Sequence, residues 1–117
     1  MKNYGATINT FGSDCVEAEA KAREVSEKNQ VPYVSPYNDI YIVAGQGTMG
    51  TEITSQANEL DAIIISIGGG GLMAGTASFL RSVWPNIKVI GCSPSNSAIM
   101  IHSCLLYTSP SPRDVIQ

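Results

Sequence analysis

Four consecutive glycines, Gly68, Gly69, Gly70 and Gly71, directly follow the apolar run Asp61-Ala62-Ile63-Ile64-Ile65-Ser66-Ile67 and directly precede an amphipathic segment that begins at Leu72. A strand, a bare loop and a helix in that order can bind an anion. Without Cβ atoms the loop's backbone N–H groups can close on a ligand, and the partly positive helix N-terminus adds to the attraction. Phosphate suits such a site, with the N–H groups of the four glycines and of Leu72 as candidate donors. The other reading is a tight turn whose glycines serve only close packing, but four in a row would each cost entropy without a packing gain.

Two standard phosphate motifs can be tested against these residues. A Walker loop needs Gly-Lys-Ser/Thr after its glycines, and Gly71 is followed here by Leu72-Met73, so no lysine is offered to a β- or γ-phosphate. Gly69-Gly70-Gly71-Leu72-Met73-Ala74 fits the dinucleotide fingerprint G-x-G-x-x-A. The acidic residue that should hold the ribose about 20 residues on is missing, because the next strand, Lys88-Val89-Ile90-Gly91, runs into Cys92-Ser93. Other reactive side chains are sparse. His102 is the only histidine and has no cysteine or carboxylate patterned around it, so it reads as a surface or packing residue. Cys15, Cys92 and Cys104 are odd in number and lack C-x-x-C spacing, which indicates neither a disulfide framework nor a zinc site; they read as buried or incidental thiols.

The elements that must position the glycine loop alternate along the chain. Ala6-Thr7-Ile8-Asn9 is predicted as a short strand. Ser13-Asp14 caps a helix from about Cys15 to Lys28, with Glu17 in capping-box position. Glu17/Lys21, Glu19/Arg23 and Glu24/Lys28 at i,i+4 spacing make its charge run a solvated helix face. Val31-Pro32-Tyr33-Val34 is predicted as a second strand, and a helix starts at Thr48 or Thr51 and ends near Asn58. Residues 61–67 read as a central strand buried on both faces, 72–84 as a helix with Leu72, Thr76, Phe79, Leu80 and Val83 on one side, and 88–92 as the last strand. This order predicts an α/β fold with a parallel twisted sheet and helices on both faces.

Three segments in this order carry a resemblance: Ile42-Val43-Ala44-Gly45-Gln46-Gly47-Thr48, the tetraglycine, and Lys88-Val89-Ile90-Gly91-Cys92-Ser93-Pro94-Ser95-Asn96-Ser97. From about Tyr4 to about Ser103 the chain resembles the serine/threonine dehydratase and serine racemase family of fold type II, whose members use pyridoxal 5'-phosphate. The resemblance implies that Gly68, Gly69, Gly70, Gly71 and Leu72 hold the cofactor phosphate and that Gly-Gln-Gly-Thr lies beside the active site. Tyr37 and Asn38, in Ser35-Pro36-Tyr37-Asn38-Asp39, occupy the segment that borders the cofactor in relatives; an ordinary turn is the alternative for both. Family members are well over twice as long, so residues 1–103 read as the central part of the cofactor-binding domain. The family's Schiff-base lysine lies upstream of everything present; Lys2, Lys21, Lys28 and Lys88 lack its context, and no catalytic residue is assigned. Racemase-like members hold a divalent cation with two acids where this chain has Ser93 and Ile99, so no metal site is expected.

The implied function is a lyase that eliminates water and ammonia from a hydroxy amino acid, with a homo-oligomeric parent. The alternative is a stand-alone, non-catalytic module that binds a phosphorylated small molecule through the same loop. Composition fits either: 44% of residues are hydrophobic, 15% are charged and the net charge is −3, with no basic cluster to attract nucleic acid or an anionic membrane. The longest strongly apolar run, residues 62–67, is far too short to span a bilayer, and Met1-Lys2-Asn3-Tyr4 does not lead into a signal peptide. A cytoplasmic address is the expectation. Residues 104–117, with two closely spaced prolines and no periodicity, read as a foreign read-through or a disordered tail.

Overall fold

The computed structural model describes residues 1–107, with side chains as far as 103, and the chain divides into two units, Met1–Val34 and Ser35–Gln117. In the first unit Asp14 starts helix α1 (Cys15–Asn29): its backbone is extended and its carboxylate accepts the Glu17 N–H at 2.9 Å. Glu17 reaches back to the N–H of Ser13 at 2.7 Å, so the capping box closes one residue earlier than its usual form. That role takes Glu17 out of the expected pair with Lys21. Lys21 binds Glu24 at 2.8 Å instead and lies over the Phe11 ring, 5.6 Å from its centroid. Glu19 and Arg23 pair at 2.8 Å as the spacing predicts. Exposed pairs of this kind contribute only about 0.2–0.5 kcal/mol each, so they decorate the helix more than they hold it.

Residues 6–9 and 31–34 are not strands. Both lack a regular element, because a strand exists only by pairing and neither finds a partner strand among the described residues. Tyr33 is anchored by side chains instead: its hydroxyl donates to Glu19 Oε1 at 2.9 Å, and Arg23 stacks 4.4 Å from its ring centroid.

In the second unit Asp39 opens helix α2 (Ile40–Gln56), accepting the N–H groups of Tyr41 and Ile42 at 2.8 and 3.2 Å. The helix therefore begins eight residues before Thr48, the earlier of the two predicted starts. Strands β1 (Ala62–Ser66) and β2 (Lys88–Cys92) pair in parallel, from Ala62↔Lys88 to Ser66↔Cys92, and helix α3 (Gly71–Val83) connects them. The α/β class and its parallel sheet are those predicted. A core of Leu80, Trp84 and Ile87 gathers Ile53, Leu60, Ile63, Phe79 and Val89 around it, so α2 and α3 cover the same side of the sheet. On the other side Ile64 and Ile90, partners in the register, are 69% and 43% exposed. Burial of the central strand within this chain is thus one-sided.

The helices meet through glycine. A Cβ on Gly75 of α3 would run into the carbonyl oxygen of Val43 and stand 2.8 Å from the Gly47 nitrogen, so the absence of a side chain is what lets α2 lie this close. A short 3₁₀ turn (Ser95–Ser97) and helix α4 (Ile99–Tyr107) follow β2. Helix α4 carries regular backbone past Ser103, where the sequence expectation placed the start of a foreign or disordered tail; the rest of that expectation lies outside the described residues.

Candidate functional site

The loop between β1 and α3 starts from a fixed point. Ile67 donates its N–H to the Cys92 carbonyl at 2.8 Å, and its own carbonyl accepts the Ser93 hydroxyl at 2.7 Å. Gly70 then takes a left-handed conformation, φ +89°, that other residues adopt only with strain, and serves as N-cap of α3 without any side-chain cap. The first bond of the helix runs from the Ala74 N–H to the Gly70 carbonyl at 2.9 Å, which leaves the amides of Gly71, Leu72 and Met73 outside the helical ladder. No acidic residue stands in the first turn to oppose an anion.

Tyr37 packs directly on this loop. A Cβ on Gly71 would lie 2.9 Å from the Tyr37 Cα, and one on Gly69 would run into its ring, so these glycines make room for the tyrosine. Ser35, 7% exposed, turns the tyrosine's own segment by accepting the Asn38 N–H at 3.0 Å and the Tyr37 N–H at 3.5 Å. Beside them lies a cleft of about 250 Å³, lined by Gly68, Gly69, Gly70, Gly71 and Leu72 together with Pro36, Tyr37, Gln46 and Ser66.

Six of the seven residues expected at the site, the four glycines, Leu72 and Tyr37, therefore line one cleft. Asn38 does not. Gln46, Ser66 and Pro36 are additional lining residues. Gln46 comes from the Gly-Gln-Gly-Thr segment and is placed by Thr76 of α3, fully buried, whose hydroxyl donates to the Gln46 carbonyl at 3.2 Å. The signal for Ser66 was a polar residue at the end of an isoleucine strand, next to the glycines.

Other candidate groups lie elsewhere. Lys88 pairs with Ala62 at the end of the strands away from the loop, and no lysine lines the cleft. His102 is exposed on α4, and Ile99 is 74% exposed. Among the described residues no group of three histidine, cysteine, aspartate or glutamate side chains is arranged for a metal. Cys15 and Cys92 are exposed free thiols, so of the two readings, buried or incidental, burial does not hold for these two. No helix among the described residues is long and apolar enough to cross a membrane.

The family profile described as "Pyridoxal-phosphate dependent enzyme" matches residues 1–115. The chain is 42% identical over 100 residues to threonine dehydratase 2 biosynthetic, chloroplastic, of Solanum lycopersicum, covering 86% of this chain and 17% of that protein. It is 36% identical over 102 residues to the L-threonine ammonia-lyase of Thermotoga maritima, covering 87% and 25%. Among solved structures, the processed form of threonine deaminase isoform 2 from Solanum lycopersicum superposes with a TM-score of 0.81 at 39% identity, over 90% of this chain and 29% of that one. Serine racemase from Dictyostelium discoideum gives 0.72 at 33%, over 90% and 34%. The chain thus spans between about a sixth and a third of the length of these relatives. With the family profile matched over nearly its whole length and these solved structures superposing on it, the chain belongs to the pyridoxal-phosphate dependent enzymes of fold type II.

Proposed function

We propose that this chain is the central, cofactor-binding part of an ammonia-lyase that eliminates water and ammonia from threonine, serine or a hydroxylated relative. One observation carries the reading beyond kinship: the cleft wall from Gly68 to Gly71 has no side chains, and Gly71 and Leu72 have amides that no helical carbonyl takes. These amides bind the phosphate of pyridoxal 5'-phosphate, and the α3 N-terminus adds its partial positive charge. Tyr37 packs against Gly69 and Gly71, and Gln46 and Ser66 add polar residues to the lining. When bound, the cofactor supplies an electron sink that stabilises negative charge at the substrate's α-carbon. The residues of this chain orient it and move no proton. The Schiff-base lysine belongs to a part of the parent outside this sequence, so the chain alone is inactive. The relatives' names, all of them enzymes', support a lyase over a non-catalytic binding module.

The test is a substitution in the full-length protein that carries this chain. Asp at Gly70 would place a negative charge against a dianionic phosphate away from water, at a cost of at least about 3 kcal/mol, or roughly a 100-fold loss of cofactor affinity. Gly70→Asn, which has the same shape and tolerates the left-handed backbone equally well, separates charge from strain and should lose far less. A folded Gly70→Asp protein that binds pyridoxal phosphate as tightly as the parent would refute the cradle.

A further inference from the structure

The Ser93–Ile67 hydrogen bond has no part in the sheet, yet it sits at the entrance to the glycine loop. Ile67 is the last residue before Gly68, and both of its backbone polar groups are held by the segment that ends β2: its N–H by the Cys92 carbonyl at 2.8 Å, its carbonyl by the Ser93 hydroxyl at 2.7 Å. The Ile67 carbonyl and the Gly68 N–H belong to one rigid, planar, trans peptide unit and point in opposite directions. Fixing the carbonyl therefore fixes the direction of the Gly68 N–H. A Cβ built on Gly68 would meet no atom within 4 Å, so no neighbour crowds the residue on that side. A peptide plane followed by glycine turns over at little steric cost, because glycine accepts the backbone angles that the turned plane demands.

Resting on the reading of the loop as a phosphate cradle, we propose that Ser93 is a positioning residue: its hydroxyl locks the Ile67–Gly68 peptide so that the Gly68 N–H faces the cofactor phosphate. Half-buried at the end of β2, Ser93 does not line the cleft and acts only through this bond. Accepting the hydroxyl also polarises the peptide and strengthens its N–H as a donor.

The experiment uses the full-length protein with Ser93→Ala, Ser93→Val and Ser93→Thr, titrated with pyridoxal 5'-phosphate and with pyridoxal, which lacks the phosphate. Loss of one oriented donor should weaken pyridoxal phosphate binding about tenfold in the Ala and Val variants and leave pyridoxal binding unchanged. Thr keeps the hydroxyl and should bind like the parent, whereas Val has the same shape without it. Equal losses for the two ligands, no loss in Ala and Val, a Thr variant as weak as Val, or failure of both hydroxyl-free variants to fold would each overturn the proposal. Gly70→Asp, run in parallel, separates the two readings. If it collapses affinity while the Ser93 variants do not, only the role of Ser93 fails; if it has no effect, the cradle itself fails.

Discussion

The contact between α2 and α3 allows a stability prediction whose sign differs from one glycine to the next. At Gly75 a methyl group would meet atoms that cannot swing aside: the Val43 carbonyl oxygen and the Gly47 nitrogen at 2.8 Å, both backbone, and the Gln46 Cβ at 3.1 Å. Carbon contacts settle near 3.5–4 Å, so Gly75→Ala must push the two helices apart, at the cost of about 1–3 kcal/mol that overpacking incurs. Separation also stretches the bond from the Thr76 hydroxyl to the Gln46 carbonyl, 3.2 Å in the native chain and worth about 1 kcal/mol. Better helix propensity returns at most about 1 kcal/mol, leaving a net loss near 2 kcal/mol. Gly45 is the control. It lies in the same α2 with nothing within 4 Å of a built Cβ, so Gly45→Ala should gain up to about 1 kcal/mol from propensity alone. Gly50→Ala falls between, because the group 2.7 Å away is the Phe79 ring, a side chain able to turn aside. Urea unfolding of this chain, followed through its single tryptophan, Trp84, 8% exposed in the core beside Leu80, reads all three. With a slope of about 1–2 kcal/mol per molar urea, the Gly45 and Gly75 midpoints should differ by more than about 1 M. A Gly75→Ala chain that unfolds at or above the parent's midpoint would show that the helices do not approach as closely as described.

Two further outcomes are expected. Borohydride reduction of this chain with pyridoxal phosphate, followed by mass spectrometry, should find no stoichiometric pyridoxyl adduct at any one lysine, because none lines the cleft; a single fully labelled lysine would refute this. The full-length protein should show the same melting temperature with millimolar magnesium or with a chelator. Neither Ser93 nor Ile99 has a carboxylate to offer a hard cation, whereas an ion that binds the native state must raise its stability by mass action.

What could be read from the sequence followed the range of the forces involved. The Asp14 cap, the β1–loop–α3 unit and β2 are written in residues that touch within one or two turns, and their predicted bounds hold to within a few positions. The start of α2 was hidden because Gly45, Gly47 and Gly50 look like helix breakers beside the Asp39 cap. Two of the three answer to partners about 30 residues away, Gly47 to Gly75 and Gly50 to Phe79, and no local pattern announces such a contact. The strand-like residues 6–9 and 31–34 failed for the opposite reason: their β-branched pattern describes a surface ready to pair, and pairing is a property of the neighbour. At the site, the family resemblance named Tyr37 and Asn38 as equals, and only the packing of the turn separates them. Ser35 accepts the backbone N–H of both residues, and the turn it makes leaves Tyr37 against Gly69 and Gly71 while Asn38 stays off the cleft wall. Ser93 shows the same limit: in the sequence it stands where a carboxylate is missing, and only the fold shows its hydroxyl on the one carbonyl that sets the direction of the first glycine amide.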